Sequence, residues 1–386
     1  MKNCDINIAY IHTGKLLDNT PSSTFVLYNA IGLSKVFSKV YLYTRKKSNA
    51  ISEAELNKIF SISKPANLII EEFSSNLGKI SNSLYYIKVY QEIKKKCIEY
   101  EIHALITRRN TFLPYLLKLK KKFDIPIYFE AHDFFANLSL RSDINKNKKY
   151  EKIEKKYIPK LSGVFCLQNA QKKIYEKEFP NQKFYVLRTG IHKIQNNIGI
   201  SNDLKYVGYI GSLDTHKGVE NILKAASISK TKPHIMIIGG KNQNEIEEFK
   251  IIIKKYYKIE KVKITGWVSK LEMKKFIGLI KIGIIPLQNT FFNRYLTSPL
   301  KLFDFFSYGI PIISSDLPAM RELIDENETG IFFKSGNAED LAEKIDYIFE
   351  NDATYHKMRK LVFSKAKQLF WKQRALSIYE IIKNDK

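Results

Sequence analysis

The sequence predicts an α/β protein built from two doubly wound domains in tandem, each a parallel sheet covered by helices on both faces. Three observations predict it. The chain of 386 residues exceeds one typical domain. Short apolar strands alternate with helical stretches in both halves, the pattern of βαβ units. Between the halves, Ile191 to Asp203 (IHKIQNNIGISND) is polar, rich in asparagine and without periodicity, so it reads as an interdomain linker.

In the first half, strands are expected near 6–11, 39–44, 67–73, 104–108, 126–131, 163–168 and 183–188, with helices between most of them. Pro21-Ser22-Ser23-Thr24 suits a helix start, because the hydroxyls accept from free backbone N–H groups. Phe112 to Leu117 reads as an amphipathic helix closed by the basic run from Lys118 to Lys122. The second alternation opens at Tyr206-Val207-Gly208-Tyr209-Ile210-Gly211 and continues through strands near 234–239, 262–265, 282–286, 311–315 and 330–333. The last segment, Phe370 to Tyr379, is amphipathic and ends the chain in a helix. The domains are therefore expected at 1–195 and 203–369, followed by a helical tail over 370–386. Ligands of such sheets bind at the carboxyl ends of the strands, so a cleft between two facing domains is the expected active site.

Composition excludes several classes. Hydrophobic residues at 44% and charged residues at 27% fit a globular protein, and no apolar run reaches the roughly 18 residues of a membrane span. The start enters directly into a strand-like run, so no signal peptide is expected. Cys4, Cys97 and Cys166 are widely spaced and show no metal pattern, which suits core thiols in a reducing cytosol. The net charge of +25 is uneven: residues 1–200 hold 34 Lys and Arg against 17 Asp and Glu, and residues 201–386 hold 30 against 22. Lys94 to Lys96, Lys118 to Lys122 and Lys146 to Lys149 concentrate it. This basic half suits an anionic membrane surface, or reflects a lysine-rich proteome. No nucleic-acid-binding motif accompanies the charge.

The most informative stretch is Ser298 to Leu323, SPLKLFDFFSYGIPIISSDLPAMREL. Ser298 and Pro299 are expected to cap and open a helix, Leu300 and Lys301 to follow in its first turn, and Asp304 to lie one turn on. Helix amides with a lysine suit a diphosphate, and Asp304 suits sugar hydroxyls. Gly309 is expected to end the helix before a buried strand.

This stretch resembles the C-terminal signature of the family-four (group 1) glycosyltransferases, retaining enzymes of the GT-B fold, roughly S-P-x-K-L-x-E-Y-x-A-x-G-x-P-[IV]. The resemblance spans the chain and is most specific from about residue 205 onward. It implies that Gly208 to Val219 corresponds to the family's G-R-L-x-x-x-K-G donor loop. Gly211 and Lys217 match it, while Ser212 stands where arginine is usual, and Lys301 or Arg294 is left to compensate. His132, in Phe129-Glu130-Ala131-His132-Asp133, matches the family histidine that contacts the transferred sugar. Glu130 and Asp133 flank it, one to orient the imidazole and one to face the acceptor. Thr13 and Gly14 occupy the acceptor-loop position without the usual Gly-Gly, and Arg108 and Arg109 suit an anionic acceptor. Gly266-Trp267-Val268 resembles the base-binding turn, although Trp267 equally suits covering a sheet edge. Arg321-Glu322 resembles the family's R-E pair, and Trp371 with Tyr379 its closing W-x7-Y pattern, whose helix crosses back to the first domain.

Two departures concern the paired family glutamates, which fall on Leu296 and Asp304; Asn293, Arg294 or Thr297 are the neighbours left to replace the first. The implied function is transfer of a sugar from a nucleoside diphosphate sugar to a glycan or polyprenol-linked acceptor in bacterial polysaccharide or glycoconjugate synthesis, in the cytoplasm or peripheral at the inner membrane face. Catalysis would rest on His132 and Lys217, with no cofactor. No Asp-x-Asp motif occurs, in keeping with metal independence. The alternatives are a catalytically silent nucleotide-sugar-binding scaffold and an epimerase or phosphorylase of the same architecture.

Overall fold

The computed structural model describes residues 4–17, 20–46, 51–74, 81–142, 148–195, 206–214 and 217–385. Lys146, residues 196–203 of the expected linker, and Thr215 and His216 of the donor loop lie outside the described residues. The chain forms two compact units, Met1–Asn57 with Ile62–His192 and Phe370–Lys386, and Lys58–Ser61 with Lys193–Leu369.

In order, the first half runs β1 (Cys4–Lys15), α1 (Pro21–Ser34), β2 (Phe37–Arg45), α2 (Glu53–Phe60), β3 (Leu68–Phe73), α3 (Ser81–Ile98), β4 (Ala104–Thr107), α4 (Leu113–Phe123), β5 (Ile127–Glu130), α5 (Lys148–Tyr157), β6 (Gly163–Cys166), α6 (Asn169–Glu178) and β7 (Phe184–Val186). Its seven-stranded sheet has the order β3-β2-β1-β4-β5-β6-β7, with parallel pairing throughout. β4, β5 and β6 are buried at every position, as a sheet covered on both faces requires. β1 runs further than the expected 6–11. Lys15 pairs with Arg45 beyond an irregularity after Ile11, and Thr44 Oγ1 donates to the Gly14 carbonyl at 2.7 Å. Thr13 and Gly14 therefore belong to the strand rather than to a loop after it.

The second half runs β8 (Tyr206–Ile210), α7 (Val219–Ile228), β9 (His234–Ile238), α8 (Gln243–Tyr256), β10 (Val262–Ile264), α9 (Lys270–Ile277), β11 (Ile280–Ile285), α10 (Phe291–Tyr295), α11 (Leu300–Ser307), β12 (Ile312–Ser315), α12 (Pro318–Arg321), β13 (Gly330–Phe333), α13 (Ala338–Glu350) and α14 (Asp352–Gln368). Its six-stranded parallel sheet has the order β10-β9-β8-β11-β12-β13. Both sheets reverse direction beside their first strand, the switch point where doubly wound folds place ligands. Gly309 ends α11 at φ 66°, and the Ile310 N–H reaches back to the Phe305 carbonyl at 3.0 Å, a left-handed helix stop.

The last helix, α15 (Trp371–Asn384), belongs to the first unit. Its buried face is Trp371, Arg374, Ala375, Ile378 and Ile382. Asp385 pins its end, accepting from Tyr128 Oη at 2.6 Å and from Lys183 Nζ at 2.8 Å.

Candidate functional site

In the second unit, β8 ends before Gly211 and Ser212, and the Lys217 N–H donates to the Asp214 carbonyl at 2.9 Å ahead of α7. Gly218 precedes that helix in the left-handed region, at φ 72°, and a Cβ there would meet the Pro286 carbonyl oxygen at 2.0 Å. Only glycine fits, and α7 begins without a side-chain cap, an arrangement that suits an anion at its first turn. Lys301 lies in the first turn of α11, with Nζ 3.9 Å from the centroid of the Tyr209 ring. A Cβ on Gly211 would stand 3.2 Å from the same nitrogen. Burial, followed by the charge of Lys217, pushes the Lys301 ammonium down to about 7. Among the described residues neither lysine has a carboxylate partner. Asp214 is engaged by Ser212 Oγ at 2.7 Å and Lys241 Nζ at 2.6 Å. Two lysines beside a helix start suit a dianion.

Local geometry corrects several expectations here. The cap position of α11 falls on Pro299, which brings no side-chain acceptor, so Ser298 precedes the cap and Leu300 is the first helical residue. The extended ψ of 119° at Pro299 keeps it outside the helix. Asp304 is paired with Lys270 at 2.5 Å, so a sugar hydroxyl there would compete with an ammonium. Asn293, a neighbour of the lost glutamate, donates its amide to the Gln288 carbonyl at 2.8 Å. Arg294 is turned to Asn289 Oδ1 at 3.1 Å, while Leu296 and Thr297 are buried. Arg321 forks onto Asp316 at 2.5 and 2.8 Å. Gly266, at φ 71°, bridges to Gly239, and Val268 is partly buried. Trp267 is 50% exposed. A groove of about 450 Å³ beside β10 begins at Thr265 and Gly266 and includes neither Lys217 nor Lys301.

In the first unit, β5 ends in Glu130, which is fully buried and serves as a hub. Its Oε1 accepts from Tyr10 Oη at 3.1 Å and pairs with His132 Nε2 at 2.5 Å. Its Oε2 accepts from Asn29 Nδ2 at 3.2 Å and Arg374 Nη2 at 2.8 Å. Arg108 Nε stands 3.3 Å away, and Arg108 Nη1 also donates to the Ser22 carbonyl at 3.2 Å. Burial would raise the Glu130 carboxyl, but Arg374, His132 and Arg108 hold it well below the carboxylate range. His132 stays neutral: burial and then Arg108 push it down to about 4, against the opposing pull of Glu130. Nε2–H donated to the carboxylate leaves Nδ1 as an acceptor on a partly exposed ring.

Of the two acids flanking His132, Glu130 is thus the orienting one. Asp133 pairs with the buried Arg141 at 2.5 Å. Beside this cluster, Arg109 Nε donates to Thr13 Oγ1 at 2.8 Å, and the Thr20 hydroxyl caps α1. His12, also buried, is pushed down to about 3 by burial, Arg108 and Arg109. The first unit therefore combines a neutral imidazole with two arginines at the strand ends.

Sequence reasoning missed Tyr209, His12, Lys270 and Arg374. The first three carry no sequence signal. Arg374 does, because Trp371, Arg374, Ala375 and Ile378 fall on one helical face, and an arginine on an apolar face calls for a buried partner.

Comparison with known proteins comes from sequence and from fold. Residues 191–363 match the family described as "Glycosyl transferases group 1". The chitobiosyldiphosphodolichol beta-mannosyltransferase of Candida albicans is 25% identical over 286 residues, 64% of this chain and 60% of that protein. The N,N'-diacetylbacillosaminyl-diphospho-undecaprenol alpha-1,3-N-acetylgalactosaminyltransferase of Campylobacter jejuni is 24% identical over 173 residues, 44% of this chain and 43% of that protein. The matches thus span less than two thirds of these relatives. Among solved structures, the sucrose-phosphate synthase of Thermosynechococcus elongatus superposes with a TM-score of 0.77 at 15% identity, covering 98% of each chain. The fold is GT-B.

Proposed function

We propose that this chain, whose residues 191–363 match the group 1 glycosyl transferases, moves a sugar from a nucleoside diphosphate sugar to a glycan or lipid-linked acceptor. The observation that carries the reading is the pair Lys217 and Lys301 beside the start of α7. A sugar donor of this class departs as a nucleoside diphosphate. Two ammonium groups and helix amides stabilise the charge that develops on it without any reorganisation at the moment of reaction. Holding the donor in one geometry supplies much of the remaining acceleration. His132, neutral and with Nδ1 as acceptor, takes a hydrogen bond from a sugar hydroxyl.

The acceptor proposed is a saccharide on a polyprenyl diphosphate. Two of the curated relatives are named for diphospho-linked polyprenols, and Thr13, Arg108 and Arg109 offer cations and a hydroxyl to such an anion. α4 carries Lys118, Lys120, Lys121 and Lys122 in its C-terminal half, which suits contact with an anionic membrane surface. No described helix is long and apolar enough to cross a membrane. Synthesis of bacterial surface polysaccharide or glycoconjugate at the cytoplasmic face, with anomeric configuration retained and no metal required, completes the proposal.

The test is incubation with UDP-, GDP-, ADP- and CMP-sugars and a short-chain polyprenyl diphosphate saccharide, read by mass spectrometry and by anomeric couplings of the product. Addition of one sugar, abolished by Lys217→Ala, is expected. Nucleotide binding with no product from any pair would favour the silent scaffold, and inverted couplings would overturn retention.

A further inference from the structure

We propose that Arg374, on the C-terminal helix, is a positioning residue that acts through Glu130 to hold the His132 imidazole as a hydrogen-bond acceptor for a sugar hydroxyl. This rests on the glycosyltransferase reading above for its function, but not for its geometry.

The C-terminal helix brings a guanidinium into the centre of the first unit, and that group is 5% exposed. Its bonds go three ways. Nη2 reaches Glu130 Oε2 at 2.8 Å, Nε reaches Asn29 Oδ1 at 3.1 Å, and Nη1 donates to the Leu187 carbonyl and to the Arg188 carbonyl at 3.2 Å. Asn29 closes the ring by donating to Glu130 Oε2 at 3.2 Å. The planar fork is thus fixed by α1, by the chain after β7 and by β5, and it fixes the carboxylate in turn. Glu130 then has one oxygen for Arg374 and Asn29 and the other for Tyr10 and His132. No freedom remains for the carboxylate to rotate, so the imidazole that donates to it is fixed as well.

The charge balance matters as much as the geometry. An imidazole 2.5 Å from a carboxylate ordinarily becomes an imidazolium. His132 stays neutral because burial is joined by Arg108 and Arg374, which oppose the pull of Glu130. Among the described residues, the charged and titratable groups acting on it are His12 from β1, Arg108 after β4, Glu130 from β5 and Arg374 from α15. His12 is itself held neutral. Removing Arg374 leaves Glu130 less neutralised and His132 less repelled. Both effects favour a proton on Nδ1, which would convert the acceptor into a donor.

The experiment is ¹⁵N NMR of the His132 ring across pH in the full chain, in wild type, Arg374→Gln and Asp385→Asn. Asp385→Asn loosens the same helix at its far end, away from Glu130. Wild type should show Nε2–H, Nδ1 bare, and no protonation above about pH 5. In Arg374→Gln the His132 pKa should move from about 4 to about 5 or above. The acid limb of kcat should move with it, kcat should fall about tenfold and the donor KM should hold. Asp385→Asn should lower the melting temperature and leave the titration unmoved.

An unchanged titration in Arg374→Gln, or equal shifts in both variants, would reduce Arg374 to a structural role. If Arg374→Gln does not fold, the wild-type spectrum still decides, since an Nδ1–H tautomer overturns the proposal. Absence of sugar transfer by wild type would sink the glycosyltransferase reading and leave the NMR result standing.

Discussion

Lys301 Nζ rests 3.9 Å above the Tyr209 ring, and among the described residues the charge that acts on it is another cation, Lys217. The ring face offers partial compensation for a buried ammonium. The rest of its cost is uncompensated until an anion arrives, so Lys301 opposes stability and serves binding.

Lys301→Met tests that conflict. The thioether keeps the contact with Tyr209 and removes the unpaired charge. The melting temperature of the free protein should hold or rise. Affinity for a nucleoside diphosphate should fall about 10- to 100-fold, as expected for losing a charged hydrogen bond worth ~1.5–3 kcal/mol. Calorimetric titration and a melting curve on the same sample check both.

The pH dependence has a definite sign. Lys301 is at about 7 when folded and near the ordinary lysine value when unfolded. The unfolded chain therefore binds the extra proton between those values, and wild-type stability gains with pH across that window. Lys301→Met should be most advantaged over wild type at pH 7 and below, with the difference closing by about pH 10. Diphosphate affinity should weaken above pH 7, because the free protein must take up a proton to bind. Melting curves and titrations at pH 6, 7, 8 and 9 check this.

Glu154 predicts the opposite slope. It is buried beneath the loop that follows His132 and accepts from the Phe135 N–H at 2.9 Å and from Asn110 Nδ2 at 3.2 Å. Burial raises its pKa to about 8, so the folded carboxyl is protonated at neutral pH. The folded state then binds more protons than the unfolded one from the ordinary glutamate value up to about 8, and stability from this group falls with rising pH across that range. Glu154→Gln should flatten the slope and melt higher than wild type at pH 9.

Gly309→Ala should destabilise without touching the site. A left-handed alanine costs about 1–2 kcal/mol. Its Cβ would also meet the Phe363 ring at 2.3 Å, which forces that ring aside. A lower urea midpoint with unchanged nucleotide affinity is expected.

Much of this architecture is legible in the sequence because parallel strands buried on both faces leave continuous apolar runs, as in Ile235 to Ile238 and Ile282 to Ile285. Boundaries are less legible. The extension of β1 to Lys15 depends on a partner strand, and the cap at Pro299 depends on one backbone angle. The site divides similarly. Lys217, Lys301 and His132 announce themselves by motif, but their electrical states do not. Glu130 and Asp133 flank His132 almost symmetrically in sequence, and the choice between them is made by Arg374 and by Arg141. Lys270, the partner of Asp304, lies within an S-x-x-E capping box at Ser269 and Glu272 that marks a helix start and says nothing of its salt bridge.

The most direct test of the central claim is the melting temperature of wild type and Lys301→Met with UDP-, GDP-, ADP- and CMP-sugars, since a ligand that binds only the folded state raises it. One nucleotide class should stabilise wild type and leave Lys301→Met nearly unmoved. No stabilisation by any of the four, or equal stabilisation of both proteins, would contradict a diphosphate site built on Lys217 and Lys301.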